Sequence, residues 1–303
     1  MTGVWHMSSE HDAAIDGRGE AVRSVPVTGS ALGLAIALCI GFAAYALFSV
    51  LGSGDGVLPA LAYRNIIKGI AASPAKELAW ALMDFTEPEF YASVFAGAGA
   101  ILGGIVAYAL ARRKSRLAGF SVCYGSYRMF PWVLASQLIS LALTIFVFRY
   151  IDGFDAAGDV TFVATFIPIV AAPPAAMLLY GPSVPALIVS SALAGLICSP
   201  SATWLAVHVT QPLGLPGVVA NVAAMAITGF AIFIVLRALP WVKKVPVPDA
   251  LPTLTPVEDV GGTAWFLRRV LAEFSEAPFY GNEVASAVML AGLLLGCVLC
   301  PAH

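Results

Sequence analysis

Polar side chains with the spacing of one helix face interrupt the apolar stretch 130–148. Ser136, Ser140 and Thr144 recur every four residues, and Gln137 lies beside them on the helical wheel. Hydroxyl and amide groups can coordinate a solute that crosses a membrane, and they can equally hydrogen-bond one helix to another. The spacing therefore predicts either a polar lining of a substrate pathway or polar contacts between helices.

Three apolar segments end in the same pattern, G-x-x-x-[S/C]-P. The copies occupy residues 69–74, 195–200 and 296–301. Glycine and proline at these places stop a helix, and a helix that stops inside a membrane leaves carbonyls that only protein or a wet cavity tolerates. Transporters build substrate sites from repeated, broken helices. The recurrence predicts such sites around Ser73 and Ser199, unless it arises by chance in a chain rich in small residues.

Prolines and isolated polar groups add further candidates for a substrate pathway. Pro173 and Pro174 lie in the fourth apolar stretch, where each removes a backbone donor and favours a kink. Asn221 lies in the sixth stretch, and Glu89 and His208 lie at stretch ends where they could carry a proton or bind a cation. The alternatives are a kink that serves packing alone and boundary charges that are simply solvated.

The C-terminal cysteines form a Cys297-x-x-Cys300 pair with His303 close behind. This spacing fits a thiol redox centre or a metal site, but buried cysteine more often acts as a small apolar residue. No Walker A loop, dinucleotide-binding glycine motif, HExxH or nucleophile elbow occurs, and a net charge of −2 lacks the basic surface that nucleic acid requires. The sequence predicts no cofactor and no nucleic-acid partner.

The composition predicts which kind of protein must position these groups. Of the 303 residues, 59% are apolar and 11% are charged, against about 45–50% and about 25% in soluble domains. There is too little charge to coat a water-facing surface of this size. The chain is therefore expected to be an all-α, polytopic bundle of transmembrane helices in contact with the lipid bilayer.

Seven apolar stretches have lengths that suit a membrane crossing. They are Ala31–Leu51, Phe90–Leu110, Phe130–Phe148, Val160–Tyr180, Val184–Val209, Val218–Leu236 and Val284–Cys300. The fifth contains Pro185 and Pro200, so it is expected to be a broken span or a re-entrant hairpin. Residues 58–89 lie between the first two stretches. This segment either spans the membrane or re-enters it from one side.

The remaining residues form polar connections. Residues 1–27 are predicted to be a cytoplasmic tail, and residues 28–303 the transmembrane domain. Within 243–282 a proline-rich linker precedes an amphipathic helix, which lies either on the membrane surface or over the end of the bundle. The third motif copy ends at Pro301, so either the chain is truncated there or the internal repeat is accidental.

Two further patterns bear on partners and orientation. Gly99-x-x-x-Gly103 predicts a close helix contact, either within the bundle or in a homo-oligomer. Basic clusters follow the second and sixth stretches and precede the seventh. The excess of Lys and Arg in cytoplasmic loops then places the N-terminus inside the cell, in a multi-pass protein of the plasma or inner membrane.

Together these features favour a transporter or channel for a small molecule or ion, with its site at mid-membrane between repeated broken helices. The alternative is a membrane-embedded enzyme of the thiol redox type, or a non-catalytic subunit of a membrane complex. The absence of a recognisable catalytic set favours transport over catalysis.

Overall fold

The computed structural model describes residues 28–51, 56–86, 91–153, 165–247 and 263–300. These residues form helices and turns and contain no strand, so the all-α prediction is confirmed. The chain divides into two compact units, residues 1–43 and 44–303. Helix α1 (Thr28–Leu51) begins in the first unit and ends in the second.

The other α-helices of the described chain belong to the second unit. They are α2 (Tyr63–Ile67), α3 (Pro74–Met83), α4 (Val94–Arg112), α5 (Phe130–Ala142), α6 (Ile167–Val170), α7 (Ala172–Tyr180), α8 (Val184–Leu205), α9 (Gly217–Ala238), α10 (Thr263–Glu273) and α11 (Glu283–Leu299). A π-helical turn extends α5 to Val147, and another extends α8 to Thr210.

Four helical stretches are long and apolar enough to cross a membrane. They are Val94–Arg112, Tyr127–Val147, Val184–Thr210 and Gly217–Ala238. Large apolar side chains such as Ile188, Val222 and Phe230 point outward from them, as expected where the solvent is lipid. Three apolar helical stretches are shorter: Leu38–Leu51, which is part of α1, Ile167–Tyr180, which comprises α6 and α7, and Glu283–Leu299. Membrane association is thus supported, with four of the seven predicted stretches at full spanning length.

Helix α8 runs without a break through the second copy of the repeated motif. The predicted interruption at Ser199 is wrong, because Pro200 lies inside the helix. Proline has no N–H, so the carbonyl of Leu196 loses its usual helical donor. The hydroxyl of Tyr150 donates a hydrogen bond to that carbonyl at 3.2 Å. A side chain from a distant part of the chain thus satisfies the freed group, and the helix continues.

Helices α4 and α11 pack antiparallel at a distance that only glycine permits. A Cβ atom on Gly99 would lie 2.8 Å from the carbonyl oxygen of Val288, and one on Gly103 would lie 2.7 Å from that of Ala285. On α11, a Cβ atom on Gly292 would lie 2.2 Å from the carbonyl oxygen of Phe95. The Gly99/Gly103 face is therefore covered within the chain, and its prediction as a homo-oligomer contact is wrong.

The loop after α4 is clasped to the residues that lead into α11. Asn282 donates to the carbonyl of Ala118 at 2.7 Å, and its side-chain oxygen accepts the first amides of α11. The amide of Phe120 donates to the Glu283 carboxylate at 2.6 Å, and Arg268 donates to the same carboxylate at 2.7 Å. Two of the basic clusters recognised in the sequence therefore meet at one end of the bundle.

Helix α10 lies where the sequence predicts an amphipathic helix, and its contacts show where it packs. Ala272 is fully buried, and its carbonyl accepts a hydrogen bond from the Ser286 hydroxyl of α11 at 3.3 Å. Arg268 and Arg269 both lie over the ring of Phe120. These contacts favour the second of the two predicted placements, a helix that covers the end of the bundle.

Candidate functional site

Residues 63–86, here called the interrupted segment, are a run of short helices with breaks between them. Gly69 adopts a left-handed conformation (φ 65°), and Ser73 is extended before Pro74 opens α3. Glycine carries no steric penalty in that region, and proline is favoured in the first turn of a helix. The break predicted at Ser73 is therefore present, in contrast to the one at Ser199.

Arg149 anchors the beginning of α3. Its guanidinium group donates to Glu77 at 3.0 Å, to the carbonyl of Ala71 at 3.2 Å and to Asp152 at 2.9 Å. The hydrogen bonds that Arg149 donates, first to Asp152 and then to Glu77, raise the pKa of Arg149, so it stays charged. Glu77 is buried, and this bridge supplies its countercharge.

The other end of α3 is inserted into an apolar core. A Cβ atom on Gly97 would lie only 1.7 Å from the carbonyl oxygen of Leu82, so the glycine lets the end of α3 pack directly against α4. The side chains around this point form one buried cluster. Its fully buried large side chains are Ile66, Ile70, Trp80, Met83, Ile145, Ile151 and Ile169.

Asp84 follows α3 directly and is the most unusual group in this core. Its side chain is 0% exposed, and neither carboxyl oxygen has a hydrogen-bond partner within the described residues. Burial raises the pKa of Asp84 well above its ordinary value, and the side chain of Thr165 partly opposes this rise. The Thr165 hydroxyl also accepts the indole N–H of Trp80 at 2.7 Å.

The basic groups on neighbouring elements are engaged elsewhere. Lys76 donates to the carbonyl of Lys68, and Arg149 is held by Glu77 and Asp152. Within the described part of the chain, no ion pair reaches Asp84. An isolated carboxylate in an apolar core is strongly disfavoured, so Asp84 is expected to hold its proton.

An open groove of about 450 Å³ lies beside Arg149. Its lining combines one charged group with aromatic and small polar ones: Arg149, Tyr150, Gly153, Pro200, Thr203, Trp204, Val207 and His208. The rings of Trp204 and His208 lie 5.2 Å apart. Its volume falls in the range of about 300–1,000 Å³ typical of small-molecule sites. His208 is thus the sequence candidate that faces an open cavity.

The serine face of α5 is buried and bonded to backbone. The Ser136 hydroxyl donates to the carbonyl of Val133, that of Ser140 to Ser136, and that of Thr144 to Ser140. Ser191 of α8 also donates to the Ser136 carbonyl, at 3.3 Å. In this conformation these hydroxyls act within α5 or between helices, as the helix-contact alternative predicts.

Gln137 links three elements at the centre of the bundle. Its amide nitrogen donates to the carbonyls of Ile169 at 3.1 Å and Pro278 at 2.9 Å, and its oxygen accepts the Tyr280 hydroxyl at 3.1 Å. The Ile169 carbonyl lies four residues before Pro173, which offers no N–H to it. The carbonyl that a proline frees is therefore satisfied by the buried amide of Gln137.

The fourth apolar stretch is irregular, as its prolines predict. Ala171 leaves the helical conformation and separates α6 from α7, and Pro173 and Pro174 open α7. Both prolines are buried. They position the carbonyls around Ile169 against α5 and do not line the groove.

The remaining candidates do not join these groups. Asn221 is buried in α9, and Ser199 is buried in α8. Cys297 and Cys300 are free thiols that border a small cavity with Ser93. Within the described residues, no three metal-ligating side chains come together. Glu89 and His303 lie outside the described residues.

Sequence reasoning missed Asp84, Arg149 and Trp204 as site residues. A local signal for Asp84 was present, because it is a single acid inside the apolar run from Leu78 to Phe85. The pairing of Arg149 with Glu77 joins residues 72 positions apart and has no local signature.

Comparisons with protein-family models, curated proteins and solved structures found no match to this chain. Function must therefore be inferred from the geometry and chemistry of the site itself.

Proposed function

We propose that this protein is an integral membrane transporter for a small solute. The observation that carries the proposal is the interrupted segment, where the buried carboxyl group of Asp84 follows α3 and has no hydrogen-bond partner among the described residues. Ionisable groups inside helical membrane proteins are costly to bury, and they commonly mark solute or ion pathways. Broken helices tolerated inside a protein interior have the same association with transport.

The groove beside Arg149 is the proposed first binding site for the solute. Its aromatic side chains offer flat apolar contacts, and Thr203, Tyr150 and His208 offer hydrogen-bonding groups. Arg149 lines this groove and also holds Glu77 of α3. Solute contact with Arg149 would therefore act directly on the anchor of the interrupted segment.

The proposed topology has seven crossings with the N-terminus in the cytoplasm, in the plasma or inner membrane. The three shorter apolar helices would complete the crossings beside the four long ones. The basic loop after α4 and the arginines of α10 meet at the Glu283 end of α11, which supports one basic, cytoplasmic face. The groove lies near Thr210, at the opposite end of the α8 stretch from Val184.

A screen of solute classes on the purified protein tests the binding site. Pools of amino acids, sugars, carboxylates, nucleosides and organic cations are assayed for a rise in melting temperature in detergent. We expect one class to stabilise the protein, because a ligand that binds only the folded state shifts unfolding by mass action.

Two tryptophan variants make the screen specific for the groove. Thr203→Trp fills the groove, whereas Leu213→Trp adds the same side chain at an exposed position outside its lining. The stabilising solute should lose its effect on Thr203→Trp and keep it on Leu213→Trp. Equal effects on both variants, or no stabilising class, would argue against this site.

A further inference from the structure

Asp84 has properties that a solute site alone does not require. It is fully buried, it is an acid, and the described residues offer neither of its oxygens a hydrogen bond. A structural carboxylate in such a place would normally be paired with a base or with several N–H donors. Its position thus calls for a role in which the carboxyl group is alternately neutral and charged.

The surroundings allow only the neutral form in this conformation. On α3, Glu77 is held by Arg149, and Lys76 donates to a backbone carbonyl. Arg64 on α2 is exposed. Asp152, which follows the α5 stretch, is paired with Arg149. The parts of α4, α5 and α6 that enter this core contribute apolar side chains such as Ile101, Ile145 and Ile169. No positively charged group of the described residues reaches Asp84, and the Thr165 side chain is the polar group that partly opposes the rise in its pKa.

The backbone around α3 allows this neutral group to change surroundings. Left-handed Gly69 and extended Ser73 precede α3, so the backbone bends at both places before the helix begins. The start of α3 is partly exposed, except for Glu77, which is buried and paired with Arg149. Residues 83–86, by contrast, are buried. A shift of α3 that releases the Glu77 bridge would move Asp84 relative to its apolar cage.

We infer that Asp84 is the proton carrier that couples solute movement to a proton gradient. This inference rests on the proposed function and adds the coupling ion to it. With Asp84 open to water on one side of the membrane, the carboxylate takes up one proton and becomes neutral. In the buried state the neutral acid crosses the apolar core at low cost, and on the other side it returns the proton to water.

Infrared spectroscopy tests the protonation step without any solute. The purified protein at about pH 7 should show a protonated carboxyl band, although a free aspartic acid with its pKa of about 3.9 would be ionised there. Asp84→Asn should remove that band, and Glu273→Gln, which alters an exposed carboxyl group, should leave it unchanged. Asn mimics the neutral acid in size, so the variant is expected to fold. A band that persists in Asp84→Asn overturns the inference.

Proteoliposomes test the coupling step with the solute class that the stability screen selects. An imposed proton gradient should drive its accumulation by the wild-type protein, and entrapped pyranine should report protons that move with it. Asp84→Asn should lose gradient-driven accumulation at least tenfold but retain solute exchange, because exchange needs no net proton movement.

The other outcomes separate the two proposals. Exchange without any effect of the proton gradient on the wild type overturns the coupling inference and leaves transport standing. Accumulation driven by a sodium gradient instead overturns the choice of proton. A protonated Asp84 with no protein-dependent flux of any selected solute overturns the transporter proposal, and the coupling inference falls with it.

Discussion

The hydroxyl of Tyr150 donates a hydrogen bond to the backbone carbonyl of Leu196, the carbonyl that Pro200 leaves without a helical donor. This bond crosses from the end of the α5 stretch to the middle of α8. Tyr150 follows Arg149 in sequence. Of these two neighbours, Tyr150 supports α8 and Arg149 anchors α3. Arg149 and Tyr150 both line the groove.

Loss of the Tyr150 hydroxyl should destabilise α8 through the Leu196 carbonyl. We expect Tyr150→Phe to lower the free energy of unfolding by about 1 kcal/mol, because the Leu196 carbonyl loses the side-chain donor that replaces its helical one. In a Pro200→Ala background residue 200 regains an N–H, and the effect of Tyr150→Phe should shrink. Chemical denaturation in micelles measures this double-mutant cycle. Equal costs in both backgrounds would show that the bond does not serve Leu196.

Removal of the Gln137 amide should be among the most destabilising polar substitutions in the bundle. Gln137→Leu leaves the carbonyls of Ile169 and Pro278 and the hydroxyl of Tyr280 without this partner. Each unsatisfied buried group costs about 1–3 kcal/mol. Ser140→Ala is the matched control, since its hydroxyl bonds only to carbonyls of its own helix. A melting temperature lowered equally by both would contradict the role of Gln137.

The close contact of α4 with α11 should not tolerate a methyl group. Gly292→Ala places Cβ 2.2 Å from the carbonyl oxygen of Phe95 and should destabilise the protein by about 1–3 kcal/mol. Gly229→Ala meets only Ala172 at 3.9 Å and should be stabilising by about 0.5–1 kcal/mol, because alanine loses less backbone entropy in a helix. Opposite signs in thermal unfolding are the expected result. A stabilising Gly292→Ala would show that the helices are not in contact there.

Hydropathy and local spacing predict much of this fold, but contacts between distant residues decide the site. The long spans follow from uninterrupted apolar sequence, and the Gly99/Gly103 spacing correctly predicts a close helix contact without naming its partner. The helix end predicted at Ser199 is wrong. Tyr150, 50 positions before Pro200, donates a hydrogen bond to the Leu196 carbonyl that the proline leaves free. The apolar run from Leu78 to Phe85 marks Asp84 locally, but its full burial depends on contacts with α4, α5 and α6 that no local pattern gives.

The buried acid should make stability depend on pH in a direction opposite to that of an ion-paired carboxylate. The folded protein holds the Asp84 proton, whereas the unfolded chain releases it near pH 4, so the folded-state pKa is the higher one. Stability is then full below about pH 4 and falls by up to about 1.4 kcal/mol per pH unit until the pH passes the folded-state pKa.

Asp84→Asn should lose this component of the pH dependence. We expect its melting temperature to fall less than that of the wild type as pH rises from about 5 to about 8. Glu273→Gln should follow the wild type, because its carboxyl group is exposed. Parallel curves for all three proteins would mean that Asp84 is not protonated when folded.

Protein-dependent solute flux is the most direct test of the proposed transport function. Wild-type protein and Thr203→Trp are reconstituted into proteoliposomes, and uptake of the solute class that stabilises the protein is measured against protein-free vesicles. We expect saturable uptake by the wild type and loss of uptake in Thr203→Trp. Uptake by the wild type at the rate of protein-free vesicles, for every solute that binds, would contradict transport.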